Sequence, residues 1–355
     1  MPRQPVFTEV MDALERRIAS GEYMLKDLPG ERKLAEQFGV SYMTARKAVL
    51  ELVEREILAR RPNGSLVVHP GLEARQARLR VALLTPAFPA EHLLRLRAGV
   101  ARATDRRGVQ SRAFEYVHWD DAIVREAIDG ADGLFVIPST EPIPPRLLRD
   151  FAAPGAKVVF LDGDLTDQGI PSVKLFAPAH LELIFEHLWE LGHRRIDCLN
   201  TQGRNGEIDH RIDDWRTWLE RRGGEGELFD DPTPPYEDTT SRAHEAMRRV
   251  LSERRDRLSA LVCTTQPAAV GAMRACRDVG VEVGVDVSIC TINNEPTGRY
   301  FCPSLTGLEM PDIEPLLEPA LGWFASSDES WPDDLRISPA SPILFTGEST
   351  GPARR

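Results

Sequence analysis

Tyr42, Thr44, Arg46 and Lys47 fall within six consecutive residues, directly after Ser41. Between them they offer hydroxyls, a guanidinium and an ammonium from the opening turns of one helix. That set suits base edges and phosphates in a DNA major groove, where a recognition helix presents its first turns. The stretch that must position them is LPGERKLAEQFGVSYMTARKAVLELV, residues 28–53, which divides into two helices around a turn. Leu34, Ala35 and Phe38 lie at helical spacing in the first, and Met43, Val49, Leu50 and Val53 form the expected apolar stripe of the second. Gly39 stands where the first helix must stop. Ser41 can accept a bond from the free N–H groups of the second, and Gly30 does a weaker version of this job for the first. Any amphipathic helical hairpin with a few exposed basic residues would look similar, so the flanking elements decide.

Upstream, Val10, Leu14 and Ile18 recur every four residues, predicting a helix from Phe7 to Ser20 that ends near Gly21 and forms a third wall of the small core. Downstream, Ile57-Leu58 and Leu66-Val67-Val68 flank a Pro62-Asn63-Gly64 turn, the pattern of a two-stranded wing. Arg60 and Arg61 at its base suit phosphates, contacts that add affinity and salt dependence but little sequence choice.

On these residues, 8–68 resemble the winged helix-turn-helix of the GntR family of bacterial regulators. The match rests on Leu28-Pro29, Glu31-Arg32, Leu34-Ala35, Gly39-Val40-Ser41, Thr44, Arg46, Ala48, Leu52, Arg60 and Gly64. The resemblance implies DNA contacts from Arg32, Thr44 and Arg46. With the helix and wing readings, the expected DNA-binding set is Arg32, Ser41, Tyr42, Thr44, Arg46, Lys47, Arg60, Arg61 and Gly64. Gly30 stands where the family usually has Ser, and Tyr42 where Arg is common. The wing has one glycine instead of Gly-x-Gly, so fewer positive contacts are expected than in relatives.

The charge distribution agrees. The 355 residues carry a net charge of −11, yet residues 1–80 hold 14 Lys and Arg against 11 Asp and Glu, while the rest hold 30 against 44. The basic balance is confined to the head. Five cysteines without CxxC spacing, mostly in apolar runs, fit reduced buried thiols. No signal-peptide core and no apolar run of membrane-spanning length occur, so a soluble cytoplasmic protein is expected, without membrane association.

From Arg80 the texture becomes an alternation of strand and helix. RVALLTP, GLFVIP, KVVFLD, RIDCLN, ALVCTT and SICTIN are six apolar runs with helix-length segments between most of them, three before about residue 175 and three after. Strands apolar on both faces and separated by helices imply parallel sheets covered on both sides, here as two lobes. This region resembles the sensor domain of the LacI/GalR family, which shares the fold of periplasmic sugar-binding proteins. The residues that carry it include Asp132-Gly133-Leu134, Val158 to Asp162, His187-Leu188 with Leu191-Gly192-His193-Arg194-Arg195-Ile196, Ala260 to Cys263, Gly271-Ala272, Arg274, Asp286-Val287-Ser288, and Pro342 to Phe345 leading to Glu348-Ser349-Thr350-Gly351. The expected fold is α/β: a winged helix-turn-helix over 1–69, a polar linker at 70–79, and a two-lobed, periplasmic-binding-protein-like domain with two Rossmann-like parallel sheets over 80–355.

Ligands of open parallel sheets sit at the carboxyl ends of the strands, so the cleft should gather the residues just after each run. Phe88, Glu91, Ser139, Thr140, Asp162 and Asp164 come from the first lobe; Asn205, Arg211, Thr265, Gln266, Asn293 and Asn294 come from the second. The resemblance implies that Arg211 grips the ligand, although pairing with Asp213 or Asp214 would equally explain it. Where the resemblance implies acidic and Asn-Asp sugar contacts, this chain has Asn293, Asn294, Thr265 and Gln266. Trp215 and Trp218 suit a core, with Trp215 also able to floor the cleft. Asp162 and Asp164 are close enough in sequence for acid/base work, but strand-end aspartates commonly cap backbone. His187 and His193 lack a third ligand at metal spacing. The tract 223–240, rich in Gly, Pro and acids, reads as a solvated, mobile loop.

No phosphate-binding glycine loop, metal set or nucleophile–base pair is present, so neither cofactor nor metal is expected and an enzyme is disfavoured. The implied function is a ligand-responsive transcription regulator, a repressor, that binds an inverted-repeat DNA operator as a homodimer. The implied effector is a small polar molecule such as a sugar; a non-sugar metabolite or a protein partner is the alternative.

Overall fold

The computed structural model describes residues 6–19, 23, 28–62, 64–69, 79–254, 257–332 and 334–354. Asn63 of the wing turn and residues 70–78 of the expected linker lie outside them.

In the head, α1 (Val6–Ala19), α2 (Glu31–Phe38) and α3 (Tyr42–Glu54) enclose a core of Val10, Leu14, Ile18, Leu34, Ala48, Val49 and Leu52. Gly39 ends α2 in the left-handed conformation, at φ 63°, and Ser41 Oγ accepts the Thr44 N–H at 3.1 Å to open α3. One part of the expected stripe is corrected. Met43 is 68% and Leu50 50% exposed, whereas Ala45, Ala48, Val49 and Leu52 face the core. These four lie at i, i+3, i+4 and i+7, and the small alanines let α3 approach its neighbours closely. The wing is an antiparallel pair, β1 (Leu58–Arg60) and β2 (Leu66–Val68), with Leu58 opposite Val68 and Gly64 at φ 83° in the turn.

The remainder forms two lobes. The first sheet has the order β4-β3-β5-β6-β7-β13, from β3 (Arg80–Pro86), β4 (Gln110–Tyr116), β5 (Gly133–Val136), β6 (Val158–Leu161), β7 (Ser172–Val173) and β13 (Arg336–Ile337), all parallel. The second has the order β9-β8-β10-β11-β12-β14, from β8 (Ile196–Asn200), β9 (Leu228–Asp230), β10 (Ala260–Cys263), β11 (Ser288–Asn294), β12 (Thr306–Glu309) and β14 (Leu344–Phe345). Only β14 runs antiparallel to its neighbour. The six apolar runs are β3, β5, β6, β8, β10 and β11, the central strands of each sheet. Edge strands such as β4, with the sequence QSRAFEY, are half solvated and lack an apolar run.

Helices flank the strands: α4 (Glu91–Arg106), α5 (Ala122–Gly130) and α6 (Pro145–Phe151) in the first lobe, then α7 (Pro178–Glu190), α8 (Gly206–Arg222), α9 (Thr239–Arg254) and α10 (Gln266–Asp278) in the second. The chain crosses between lobes after β7, after β12 and between β13 and β14. The second crossing carries α11 (Glu314–Ala325) back to the first lobe. There Phe324 lies against Gly133, where any Cβ would overlap its ring, and Lys157 Nζ donates to the Trp323 carbonyl at 2.9 Å.

The tract 223–240 is a second correction. It contains β9, which extends the second sheet beside β8, and it ends in the first residues of α9. Most of the tract is solvent-exposed as expected, so the correction is confined to the strand; just before it Gly226 passes so close to the Ile196 carbonyl that a Cβ would clash.

Candidate functional site

Two surfaces carry the candidate chemistry. On the head, Arg32, Ser41, Tyr42, Arg46, Arg60, Arg61 and Gly64 are exposed, and Thr44 is partly so. Several are already engaged. Thr44 Oγ1 lies 2.8 Å from Ser41 Oγ within the helix cap. Lys47 Nζ sits 4.0 Å from the centre of the Phe7 ring, a cation–π contact that turns its ammonium toward α1. Tyr42 donates its hydroxyl to Glu31 Oε2 at 2.9 Å, and the Arg60 guanidinium pairs with Glu31 Oε1. Burial would raise the Glu31 carboxyl, but the hydrogen bonds from Arg60 and Tyr42 outweigh it and hold it below its usual range. Glu31 was not among the expected site residues, although it stands in the Glu31-Arg32 pair that carries the sequence match.

The second surface is a cavity of about 530 Å³ between the lobes. Its walls come from the carboxyl ends of the central strands, as the topology of parallel sheets requires. Of the expected residues, Phe88, Glu91, Ser139, Thr140, Asp162, Asn205, Arg211, Thr265, Gln266 and Asn293 line it. Three do not. Trp215 is 3% exposed, buried beneath β8, where its indole N–H donates to the Ile196 carbonyl at 3.0 Å. Asn294 points away and donates to the Leu305 carbonyl at 2.8 Å, because successive strand side chains alternate faces and Asn293 takes the cleft side. Asp164 turns to Thr166 and Arg336, the latter at 2.9 Å, so Asp162 and Asp164 form no pair.

Arg211 is 5% exposed and does not meet Asp213 or Asp214. Its Nη1 donates to the Thr264 carbonyl at 2.8 Å and to Asn293 Oδ1 at 3.4 Å, while Nε lies 3.6 Å from Glu207 Oε1, one helical turn earlier. That Nε is buried and has no hydrogen-bond partner among the described residues, its charge being met by the Glu207 carboxylate. Asn205 is committed to the start of α8, accepting the Ile208 N–H at 2.9 Å. Asp162 adopts a left-handed backbone at φ 56° and faces His92 Nε2 at 3.4 Å. Burial would raise its carboxyl, but the His92 hydrogen bond and the charges of Arg211 and Lys174 hold it down.

Sequence reading missed His92, Glu207, Tyr236 and Glu295, all in the cavity wall. Each adjoins something that was legible: His92 follows Glu91, Glu207 lies four before Arg211, and Glu295 follows the two asparagines. Tyr236 belongs to the tract read as solvated loop, and its ring meets Phe88 across the cleft at 6.2 Å between centroids. Two further contacts join the lobes: Thr297 Oγ1 donates to Glu91 Oε2 at 2.9 Å, and Arg95 Nε lies 3.1 Å from Glu295 Oε2. Burial pushes the Glu295 carboxyl up to about 7, against the pull of Arg95 and His92.

The other conspicuous histidines have structural partners. His193 bridges Ser259 Oγ at 2.6 Å and Ser288 Oγ at 3.0 Å, and His187 meets Thr350 Oγ1 at 2.9 Å. Cys198, Cys263, Cys276 and Cys290 are buried and unbridged, and Cys302 is exposed. Among the described residues no helix is long and apolar enough to cross a membrane.

Comparison with known proteins follows this division. Residues 7–68 match the model of bacterial regulatory proteins of the gntR family, and residues 185–313 match that of a periplasmic binding protein-like domain. The regulator MalR of Streptomyces coelicolor is 28% identical over 160 residues, 45% of this chain and 46% of MalR. The repressor NagR of Bacillus subtilis is 39% identical over 71 residues, 19% of this chain and 29% of NagR. The chain thus spans about half, or less, of the length of these curated relatives. In three dimensions, a lac repressor dimer bound to operator and the anti-inducer ONPF superposes with a TM-score of 0.63 at 17% identity, over 80% of this chain and 99% of that one. The chain therefore joins a GntR-family helix-turn-helix domain to a periplasmic binding protein-like domain with the two-lobed fold of LacI-family regulators.

Proposed function

We propose that the protein is a ligand-responsive transcription regulator, acting as a repressor. Two copies present their winged heads to an inverted-repeat operator, and a small polar effector in the interlobe cavity changes the affinity. The observation that carries this reading is the pairing, in one chain, of an exposed recognition helix with a polar cleft lined by the buried Arg211. Support also comes from the printed roles of relatives: MalR and NagR are named as transcriptional regulator and repressor, and the lac repressor was caught as an operator-bound dimer.

In this scheme Arg32 and Arg46 approach the DNA, and Arg60 and Arg61 meet phosphates at the wing. Arg211, Asn293 and Gln266 hydrogen-bond the effector while Phe88 and Tyr236 supply apolar walls. Control requires that the effector bind one arrangement of the lobes better than another, since it shifts the equilibrium only by that difference. Closure would tighten interlobe contacts such as Arg95 with Glu295 and Thr297 with Glu91.

The test is selection of binding sites from a random duplex pool with the purified full-length chain. Enrichment of a two-fold symmetric motif, bound by a dimer at the hydrodynamic mass of two chains, is expected. Recovery of no sequence preference, or of binding by a monomer to a single half-site, would contradict the reading.

A further inference from the structure

The crossings between the lobes all leave from one edge of each sheet. In the first sheet β7 and β13 form that edge and β4 is the opposite one; in the second, β12 and β14 form it and β9 is the opposite one. Four strand spacings separate β4 from β7, and four separate β9 from β12, about 19 Å at the usual interval. A rotation of about 10° at the crossing edge therefore parts the far edges by about 3 Å, more than a hydrogen bond survives. A bond between the far edges is the one most sensitive to lobe opening.

Such a bond exists. After β9, residues 233–240 run along the cavity wall as a strap. Its ends are fastened to the second lobe. Thr233 donates its N–H and its hydroxyl to the Thr201 carbonyl at 3.0 and 2.6 Å, and Asp238 accepts the Thr240 N–H at 2.9 Å where α9 begins. Between them the Glu237 N–H donates to the Pro234 carbonyl at 3.2 Å, closing a turn with Pro235 second and Tyr236, at φ 68°, third. That is the pattern of a type II turn, whose third place favours glycine or asparagine. A tyrosine there carries backbone strain that glycine would avoid, and strain of this kind clusters at ligand clamps and switch segments. The side chain reaches the opposite lobe: Tyr236 donates its hydroxyl to the Val117 carbonyl, directly after β4, and its ring meets Phe88. The receiving turn is itself fixed, because Asp121 accepts the N–H groups of Val117 and His118 at 2.7 and 3.0 Å. By contrast, Glu295 and Thr297 follow β11, beside the crossing strand β12, and so start nearer the hinge.

We propose that this strap is an interlobe latch and Tyr236 its bolt. The bond from phenol to carbonyl holds the lobes together over the cleft, at the edge farthest from the hinge, and must break before they separate. Pro234 and Pro235 fix φ along the limb before the bolt, so the ring is presented to the first lobe at little cost in chain entropy. The latch is a property of the lobes and does not depend on DNA; that its release opens the site to an effector rests on the proposed function.

The experiment measures lobe separation in the full-length chain without added ligand. Cys302, the exposed cysteine, is replaced by Ser, and spin labels are placed through Asp129→Cys in α5 and Glu245→Cys in α9, both exposed positions. Pulsed electron resonance reads the distance between them, and thermal melts are run beside it. With Tyr236 present, one narrow distance is expected. Tyr236→Phe, which lacks only the hydroxyl, is expected to add a population longer by about 3 Å or more at an unchanged melting temperature. Tyr236→Gly, which suits the turn, should open the lobes as far without lowering the melting temperature. The proposal is overturned if the chain with Tyr236 already samples the longer distance, or if the folded variants keep its single distance. A lower melting temperature with unchanged distance would likewise overturn it, since the residue would then serve lobe stability alone. Neither DNA nor effector enters the measurement, so failure of the latch and failure of the regulator reading give different results.

Discussion

Tyr42 donates its hydroxyl to Glu31 at 2.9 Å, fastening the first residue of the recognition helix to the first residue of the helix before it. The other Glu31 oxygen holds Arg60 at the wing base, so one carboxylate orients both edges of the DNA-facing surface. Glu31→Ala should free Arg60 for any phosphate while loosening Tyr42. Non-specific binding at low salt should rise, and the ratio of specific to non-specific affinity should fall about tenfold, the size of one charge-assisted hydrogen bond. Competition assays with operator and random duplexes measure the ratio; an unchanged value would remove Glu31 from this role.

Arg46 is exposed on α3, and the core beneath it is made by Ala45, Ala48, Val49 and Leu52. Arg46→Ala should therefore cost about 1–3 kcal/mol of operator binding, as a base or phosphate contact does, without lowering the melting temperature. Gel-shift titration beside a thermal melt separates the two effects. A loss of stability comparable to the loss of affinity would place Arg46 in the fold instead of the interface.

Trp215 makes the opposite case. Its ring is buried under β8 and its N–H is satisfied by the Ile196 carbonyl. Trp215→Ala should destabilise the second lobe by about 3–5 kcal/mol through the cavity left behind. Denaturant unfolding checks this, and a variant of native stability that had lost only ligand affinity would return Trp215 to the cleft.

These contrasts show what a sequence can disclose. The central strands were legible because both their faces are buried, which makes continuous apolar runs such as ALVC; β4 and β9 were not, because an edge strand needs no such run. The cleft residues Arg211, Gln266 and Asn293 were legible because a parallel sheet places its ligand at strand ends. Trp215 suited both core and cleft floor in the sequence, and only the core reading holds, because a position along α8 does not tell which face its side chain occupies. Glu295 and Glu31 escaped notice because their importance lies in partners from distant segments, Arg95 and Arg60, a juxtaposition that only folding creates.

Glu295 also gives a pH dependence with a definite sign. Its carboxyl rises from an ordinary 4.5 to about 7 on folding, so between these values the folded chain binds more protons than the unfolded one. Stability therefore falls as pH rises through that window, by at most about 1.4 kcal/mol per pH unit, and the penalty is constant above it. The charges of Arg95, His92, Glu91 and Asp162 act on the same group, so the readout is the difference between wild type and Glu295→Gln. Urea midpoints from pH 5 to 8 should show the variant gaining on wild type as pH rises. A flat difference would mean that Glu295 ionises like an ordinary surface carboxylate.

The most direct test couples the two surfaces. Operator affinity is measured with and without a saturating concentration of a small polar probe that stabilises the chain, on wild type and on Arg211→Ala. A shift of at least fivefold in wild type, absent in Arg211→Ala, is the expected result, since coupling energies of about 1–3 kcal/mol are usual for allosteric proteins. Wild-type protein that demonstrably binds the probe in its cleft yet holds the operator with unchanged affinity would contradict the account.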